Sequence, residues 1–186
     1  MITSKKIRLR QRRLSDAVDN YAWLTDPELT QLDAAPLLRA SFAQYLSVYQ
    51  EELSYPSRKR CAFAVDTSEG KHMGNCSYYD INEKKKEAQL GIMIGNRNYW
   101  DKGYGTEVVT TLLSHIFRET DLNRVYLKTL VSNIRAQRCF QKCGFASCGY
   151  LNKDGYHFVL MEIHRKHWAE QQLKDDNDTK GKIDDR

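Results

Sequence analysis

The loop Tyr99-Trp100-Asp101-Lys102-Gly103-Tyr104-Gly105-Thr106 sets two glycines one residue apart immediately before an amphipathic run. Glycine opens room for close backbone approach, and the first turn of a helix presents unpaired N–H groups, so this spacing suits an anion, a phosphate above all. A second constellation, Asn133, Ala136, Phe140, Lys142, Gly144 and Phe145, reads as a capped helix. Asn133 is its N-cap, Ala136 and Phe140 share a face, and Gly144 suits the left-handed position that stops it. At this level Asn133 is open between a structural cap and a ligand contact. Histidine- or cysteine-driven chemistry has less to work with. His115 and His157 have no paired acid or nucleophile, and Cys139 has no histidine beside it. Cys139 and Cys143, four apart, lack the CxxC or histidine partner of a metal site, so no metal is expected.

The elements that must hold these residues follow from periodicity. Leu90, Ile92 and Ile94 alternate with Gln89, Gly91 and Met93 on a central strand that Gly95-Asn96 ends. Val108, Val109, Leu112, Leu113, Ile116 and Phe117 make one broad apolar stripe and predict a helix behind the glycine loop, with a strand over 125–131 after it. Upstream, Ile7 and Leu9 alternate with Arg8 and Arg10 as a first strand. A helix is expected from about Ser15 until Asp26-Pro27 breaks it, and Leu38, Phe42, Tyr45, Tyr49 and Leu53 mark a second. Residues 61–65 and 72–80 read as paired strands, and Asn152-Lys153-Asp154-Gly155 as the turn of a final hairpin. One domain over 1–168 is expected. Beyond Trp168 the residues are polar and charged and cannot offset ordering entropy by burial, so 169–186 reads as a disordered tail.

The glycine loop resembles the acyl-CoA-binding segment of the GNAT superfamily of N-acetyltransferases. The Asn133 to Phe145 run resembles that family's second signature, in the right order and at the right distance. The Trp100-Asp101-Lys102-Gly103-Tyr104-Gly105 wording is closest to the branch containing ribosomal-protein N-terminal (alanine) acetyltransferases. The resemblance runs from Lys6 to about Trp168. It implies an α+β fold of three layers, α/β/α, with a mixed, mostly antiparallel sheet of roughly seven strands flanked by helices. It also implies acetyl-CoA as cosubstrate, its pyrophosphate on the N–H groups of Asp101, Lys102, Gly103, Tyr104, Gly105 and Thr106, and its pantetheine arm beside Met93, Ile94 and Gly95. Trp100, Asn133, Ala136, Phe140 and Lys142 complete the implied cofactor site. An amine would attack the thioester directly, with no acyl-enzyme.

Two positions depart from the family pattern. Gln89 stands where many members of the branch carry Glu, and Phe140 where many GNAT enzymes carry Tyr, and neither side chain transfers a proton at neutral pH. Glu87 shares a strand face with Gln89 and is the substitute base, while Asp80 could approach from the preceding strand. Catalysis is thereby assigned to Glu87, Gln89 and Asn133. Without a strong base a weakly basic acceptor is favoured. A lysine ε-amine, of pKa about 10.4, must give up its proton against roughly 3 units at pH 7.4, or about 4 kcal/mol, whereas an α-amine faces only a few tenths of a unit. The expected acceptor is a protein N-terminal α-amine or another weakly basic amine. The alternatives are a small molecule, such as a polyamine, amino sugar or aminoglycoside, or a catalytically silent acyl-CoA-binding module. Tyr78, Tyr79, Tyr99, Tyr104 and Tyr156 are candidates to line the acceptor pocket.

Composition sets outer bounds. At 186 residues and 41% hydrophobic the chain can bury one sizeable core. Five cysteines without framework spacing read as reduced thiols, and no stretch approaches a membrane span, so a cytoplasmic protein without membrane contact is expected. The net charge of +5 is unevenly placed, because 169–186 holds four Lys or Arg against six Asp or Glu and leaves +7 on the rest. That balance suits a polyanionic cofactor, with nucleic acid reached only indirectly through a ribosome. Lys5, Lys6, Arg8, Arg10, Arg12 and Arg13 motivate a weaker RNA-docking reading, and a homodimer is left open.

Overall fold

The structure, a computed structural model, describes residues 1–181. Its strands are β1 (Ile2–Thr3), β2 (Ile7–Arg10), β3 (Arg60–Thr67), β4 (His72–Asn82), β5 (Glu87–Ile94), β6 (Arg124–Leu130), β7 (Ala146–Lys153) and β8 (Tyr156–His164). They form one sheet in the order β1-β2-β3-β4-β5-β6-β8-β7. Among the described residues only β5 and β6 run parallel. The described residues also form six α-helices: α1 (Ala17–Leu24), α2 (Pro27–Leu32), α3 (Phe42–Ser54), α4 (Tyr104–Glu119), α5 (Ile134–Lys142) and α6 (Arg165–Gly181). This is the α+β arrangement expected, with one strand more than expected because Ile2 and Thr3 pair with Leu9 and Arg8.

Alternation along the strands sorts side chains to two faces. On one face Phe63 and Tyr78 meet His115 of α4, with ring centroids 5.6 and 6.2 Å apart. On the other, Asn75 donates to Asn20 Oδ1 of α1 at 2.6 Å, and Asn20 donates to the Tyr49 hydroxyl of α3 at 3.2 Å. The sheet is therefore sandwiched between α4 and the α1–α3 pair. The stripe on α4 is buried along its length, and each such side chain contributes about 1.5–3 kcal/mol.

Asp26-Pro27 does more than end α1. The Asp26 carboxylate accepts the N–H groups of Glu28 and Leu29, and Pro27 supplies a preset first turn, so the break is also the start of α2. Ser41 and Gln44 form a capping box that opens α3 and leaves Leu38 outside it.

Arg10 corrects the sequence reading of a basic surface. Its guanidinium is buried between two carboxylates, at 2.6 and 2.9 Å to Asp66 and twice 2.8 Å to Asp16. Arg12 is likewise engaged, 3.1 Å from Glu52 and over the Tyr49 ring. These two cations tie β2 to β3, α1 and α3 and are not offered to RNA.

Across part of the segment read as a disordered tail, the chain from Arg165 continues as helix α6 to Gly181. Arg165 donates to the carbonyls of Phe117, Thr120 and Leu122 where α4 ends, and the Trp168 ring packs on Phe117 at 5.4 Å. These contacts anchor the first turns, which composition alone could not reveal. The rest of the tail expectation, 182–186, lies outside the described residues. Among the described residues no helix is long and apolar enough to cross a membrane.

Candidate active site

β5 and β6 pair only through Glu87 with Arg124, Ala88 with Val125 and Gln89 with Tyr126. Past Gln89 the strands part, while β5 stays paired with β4 as far as Ile94. One backbone edge of β5 is thus left without a strand partner in the middle of the sheet. A cavity of about 610 Å³ occupies the gap. At its far side stands the start of α4. Asp101 and Gly103 both adopt positive φ, 56° and 81°, and the N-cap Gly103 gives no side-chain cap, so the first N–H groups of α4 are available. Glu107 pins the neighbouring chain by accepting from Ser4 Oγ and the Lys6 N–H, both at 2.7 Å.

Most of the residues singled out for the cofactor converge here. Gln89, Met93, Ile94, Trp100, Asp101, Gly103, Gly105, Thr106, Asn133, Ala136, Phe140 and Lys142 all line the cavity, joined by the cations Arg135 and Arg138. The Trp100 indole donates to the Ile94 carbonyl at 2.6 Å and carries the Arg135 guanidinium 3.5 Å above its ring, so that carbonyl faces out of the sheet toward a donor. Asn133 resolves its open reading in part, because its side chain accepts the Ala136 N–H at 3.1 Å as a cap while lining the cavity. Cys139 also lines it, 3.6 Å from Thr106 Oγ1, and hydrogen bonding with Cys143 draws its thiol down to about 7.

Four candidates lie outside. Gly95 is pressed against the Trp23 ring, Tyr104 packs edge-on to Tyr99 at 5.0 Å, and Lys102 offers its carbonyl to Lys6 Nζ at 3.4 Å. Glu87 binds Arg124 at 2.7 Å, which also holds Glu162 at 2.6 Å, and it lines neither cavity described here. Its alternation with Gln89 is as expected, but β6 supplies a partner that period-two counting cannot foresee.

A second cavity, of about 460 Å³, opens on the α1–α3 side of the sheet. The two cavities share Asp33, Tyr79, Gly91, Ile92 and Met93 as common wall. Of the five tyrosines singled out, Tyr79 lines both cavities and Tyr99 the first. Tyr78 turns toward His115, and Tyr156 packs on Phe158. Asn75 lines the second cavity and leaves its buried Oδ1 without a partner, although its nitrogen donates to Asn20.

Asp33 is the residue that sequence reasoning missed. It closes α2, and Ala34 behind it is left-handed with φ 51°, a conformation that costs a residue with a Cβ about 1–2 kcal/mol and holds the turn at the junction. The carboxylate keeps contact with water yet stands within the cleft. The surrounding protein pushes it up to about 6, against the pull of Lys128. Tyr79, facing it from β4, is pushed up to about 12 by burial and then by the Asp33 charge. No local motif marks Asp33; a lone polar residue after a six-residue helix is what a surface turn looks like.

Comparison with known proteins places this geometry. An uncharacterized N-acetyltransferase of Bacillus licheniformis, p20, is 25% identical over 149 residues, 80% of this chain and 83% of that protein. A probable spermine N(1)-acetyltransferase of Bacillus subtilis subsp. natto is 27% identical over 134 residues, 63% of this chain and 88% of that one. The crystal structure of spermidine N-acetyltransferase from Vibrio cholerae in complex with CoA and spermine shares the fold, with a TM-score of 0.78 at 19% identity over 88% of this chain and 98% of that one. These relatives are not the ribosomal-protein N-terminal acetyltransferases to which the loop wording pointed, so the broad resemblance holds and the narrow one gains no support from them. Residues 6–146 match the acetyltransferase (GNAT) domain, and with most of its length inside that match the chain belongs to the GNAT family, as an N-acetyltransferase that uses acetyl-CoA as its cosubstrate.

Proposed function

We propose that the acceptor is a small primary amine that enters the second cavity and is acetylated at the wall the two cavities share, with Asp33 receiving its proton. The observation that carries this reading is the place of Asp33, a carboxylate near 6 lining both cavities. The cofactor would lie in the first cavity. Its pyrophosphate would rest on the N–H groups of residues 101–106 among Arg135, Arg138 and Lys142, and its pantetheine arm beside Met93 and Ile94, taking the Ile94 carbonyl that Trp100 now holds.

In the reaction the amine nitrogen forms a bond to the thioester carbonyl carbon, and a backbone N–H on the open edge of β5 steadies the oxyanion. The carbon–sulfur bond then breaks and the pair leaves on the CoA sulfur, while the ammonium proton passes to Asp33. Gln89 and Asn133 line the site and transfer no proton. With Asp33 in place, the lack of a base at residue 89 no longer restricts the acceptor to weakly basic amines. A concave acceptor space and relatives named for spermine and spermidine support a small molecule over a protein N-terminus.

The test is release of CoA thiol from acetyl-CoA across primary amines, amino sugars, aminoglycosides and peptides with free N-termini. Turnover of small amines is the expected result; turnover confined to peptides would sink this reading. The cofactor half is checked separately. Gly105→Val adds bulk where a Cβ already comes 3.4 Å from Cys139 Sγ, and it should weaken CoA binding by about tenfold or more, ~1.4 kcal/mol, in a calorimetric titration, with the melting transition retained. Unchanged CoA affinity would remove the pyrophosphate from the α4 start.

A further inference from the structure

The second cavity has an unusual charge plan for an acceptor site. Four charged side chains line it: Arg12, Glu52, Asp33 and Arg60. Arg12 and Glu52 pair with each other at 3.1 Å. Asp33 and Arg60 are left, and among the described residues neither has an ion-pair partner. Tyr79 links them. The Arg60 guanidinium lies 5.9 Å from the Tyr79 ring centroid, and Tyr79 shares with Asp33 the wall between the two cavities. Lys128 approaches Asp33 from β6. One unpaired acid is thus flanked by cations on both sides.

A polycation fits this plan poorly. If its reacting amine met Asp33, its further ammonium groups would run toward Arg60 and Arg12, like charge against like charge with no acid in excess. A group of opposite sign would instead find an unpaired guanidinium, whose planar fork matches a carboxylate or phosphate with two parallel hydrogen bonds.

We infer that the acceptor is a primary amine that also carries an oxyanion, carboxylate or phosphate, with Arg60 as the residue that selects it. The amine sits toward Asp33, the tail crosses the Tyr79 ring, and the oxyanion binds Arg60 at the rim. The unpartnered Asn75 Oδ1 on the same wall accepts a donor from the ligand. This rests on the proposed function above and narrows its substrate class.

Thiol release should be measured on three series of equal chain length: ω-amino carboxylates, ω-amino alkyl phosphates, and uncharged ω-amino amides, with matching diamines and spermine beside them. The expected result is a KM lower by about tenfold or more for one oxyanion series than for the amides and diamines, and the better of the two names the oxyanion. Arg60→Gln should bring the kcat/KM ratio of oxyanion to amide acceptors close to one, and Arg60→Lys should keep part of the preference. Release that ignores the tail group, prefers diamines or spermine, or keeps its preference in Arg60→Gln overturns the oxyanion and leaves the small-amine reading standing. Release with none of these amines, while CoA still binds, overturns both.

Discussion

Asp33→Asn is expected to lower kcat/KM by about 100-fold or more at pH 7, the scale on which a positioned general base contributes. The pH profile separates this role from a structural one. A base must be ionised to act, so kcat/KM for the native chain should rise with pH through about 6, where the cleft holds Asp33. In Asp33→Asn that limb should vanish, leaving only the rise that reflects the amine's own deprotonation. The deficit should therefore shrink in alkaline solution. Two effects on Asp33 oppose each other, loss of hydration from the surrounding cleft disfavouring the ionised form and Lys128 from β6 favouring it. The first prevails, so removing the charge costs the folded state nothing on balance, and the variant should melt no lower than the native chain. A limb near 6 that persists in Asp33→Asn would pass the proton to another group.

Arg10→Ala is expected to destabilise the fold by about 3–5 kcal/mol, because it strands two buried carboxylates rather than deleting one contact. For a chain of this size that lowers the melting temperature by about 10 °C or more. Acid provides the check on mechanism. Burial pushes the Asp16 carboxyl up, but the Arg10 guanidinium and the Arg13 N–H together hold it below its usual range. A depressed carboxylate lends stability above its unfolded value, about 3.9, and loses it as pH falls through the folded value. The native chain should therefore weaken below about pH 4, while Arg10→Ala, already without that pairing, weakens less. The gap between the two should narrow in acid. A constant gap from pH 7 to pH 3 would mean that Arg10 stabilises through packing and not through charge.

Both predictions turn on residues whose roles depend on distant partners, and this separates what the sequence disclosed from what it withheld. The α4 stripe, the left-handed Gly144 and the Asn133 cap are set by neighbours within a few positions, and each stands where periodicity and capping rules put it. The ion pair of Glu87 is not legible in the sequence, because alternation tells which face a side chain takes but not that Arg124, 37 positions on, waits beside it. Arg10 looked like surface because its two acids sit 6 and 56 positions away. Asp33 was silent for the same reason: its chemistry is conferred by a cleft assembled from β4, β5 and β6. The α6 helix is not legible in composition, which registers its polar and charged residues and not the anchoring by Arg165 and Trp168.

The common wall that includes Gly91, Ile92 and Met93 separates two sets of elements. On one side stand α4, α5 and the open edge of β5, with Leu29, Leu32 and Ala34 from α2 and its closing turn; on the other stand α1 and α3. On the proposed reading, substitutions in α1 and α3 would reshape what is acetylated and leave the acetyl donor's half alone, whereas a change in the wall or in α2 would disturb the donor side as well.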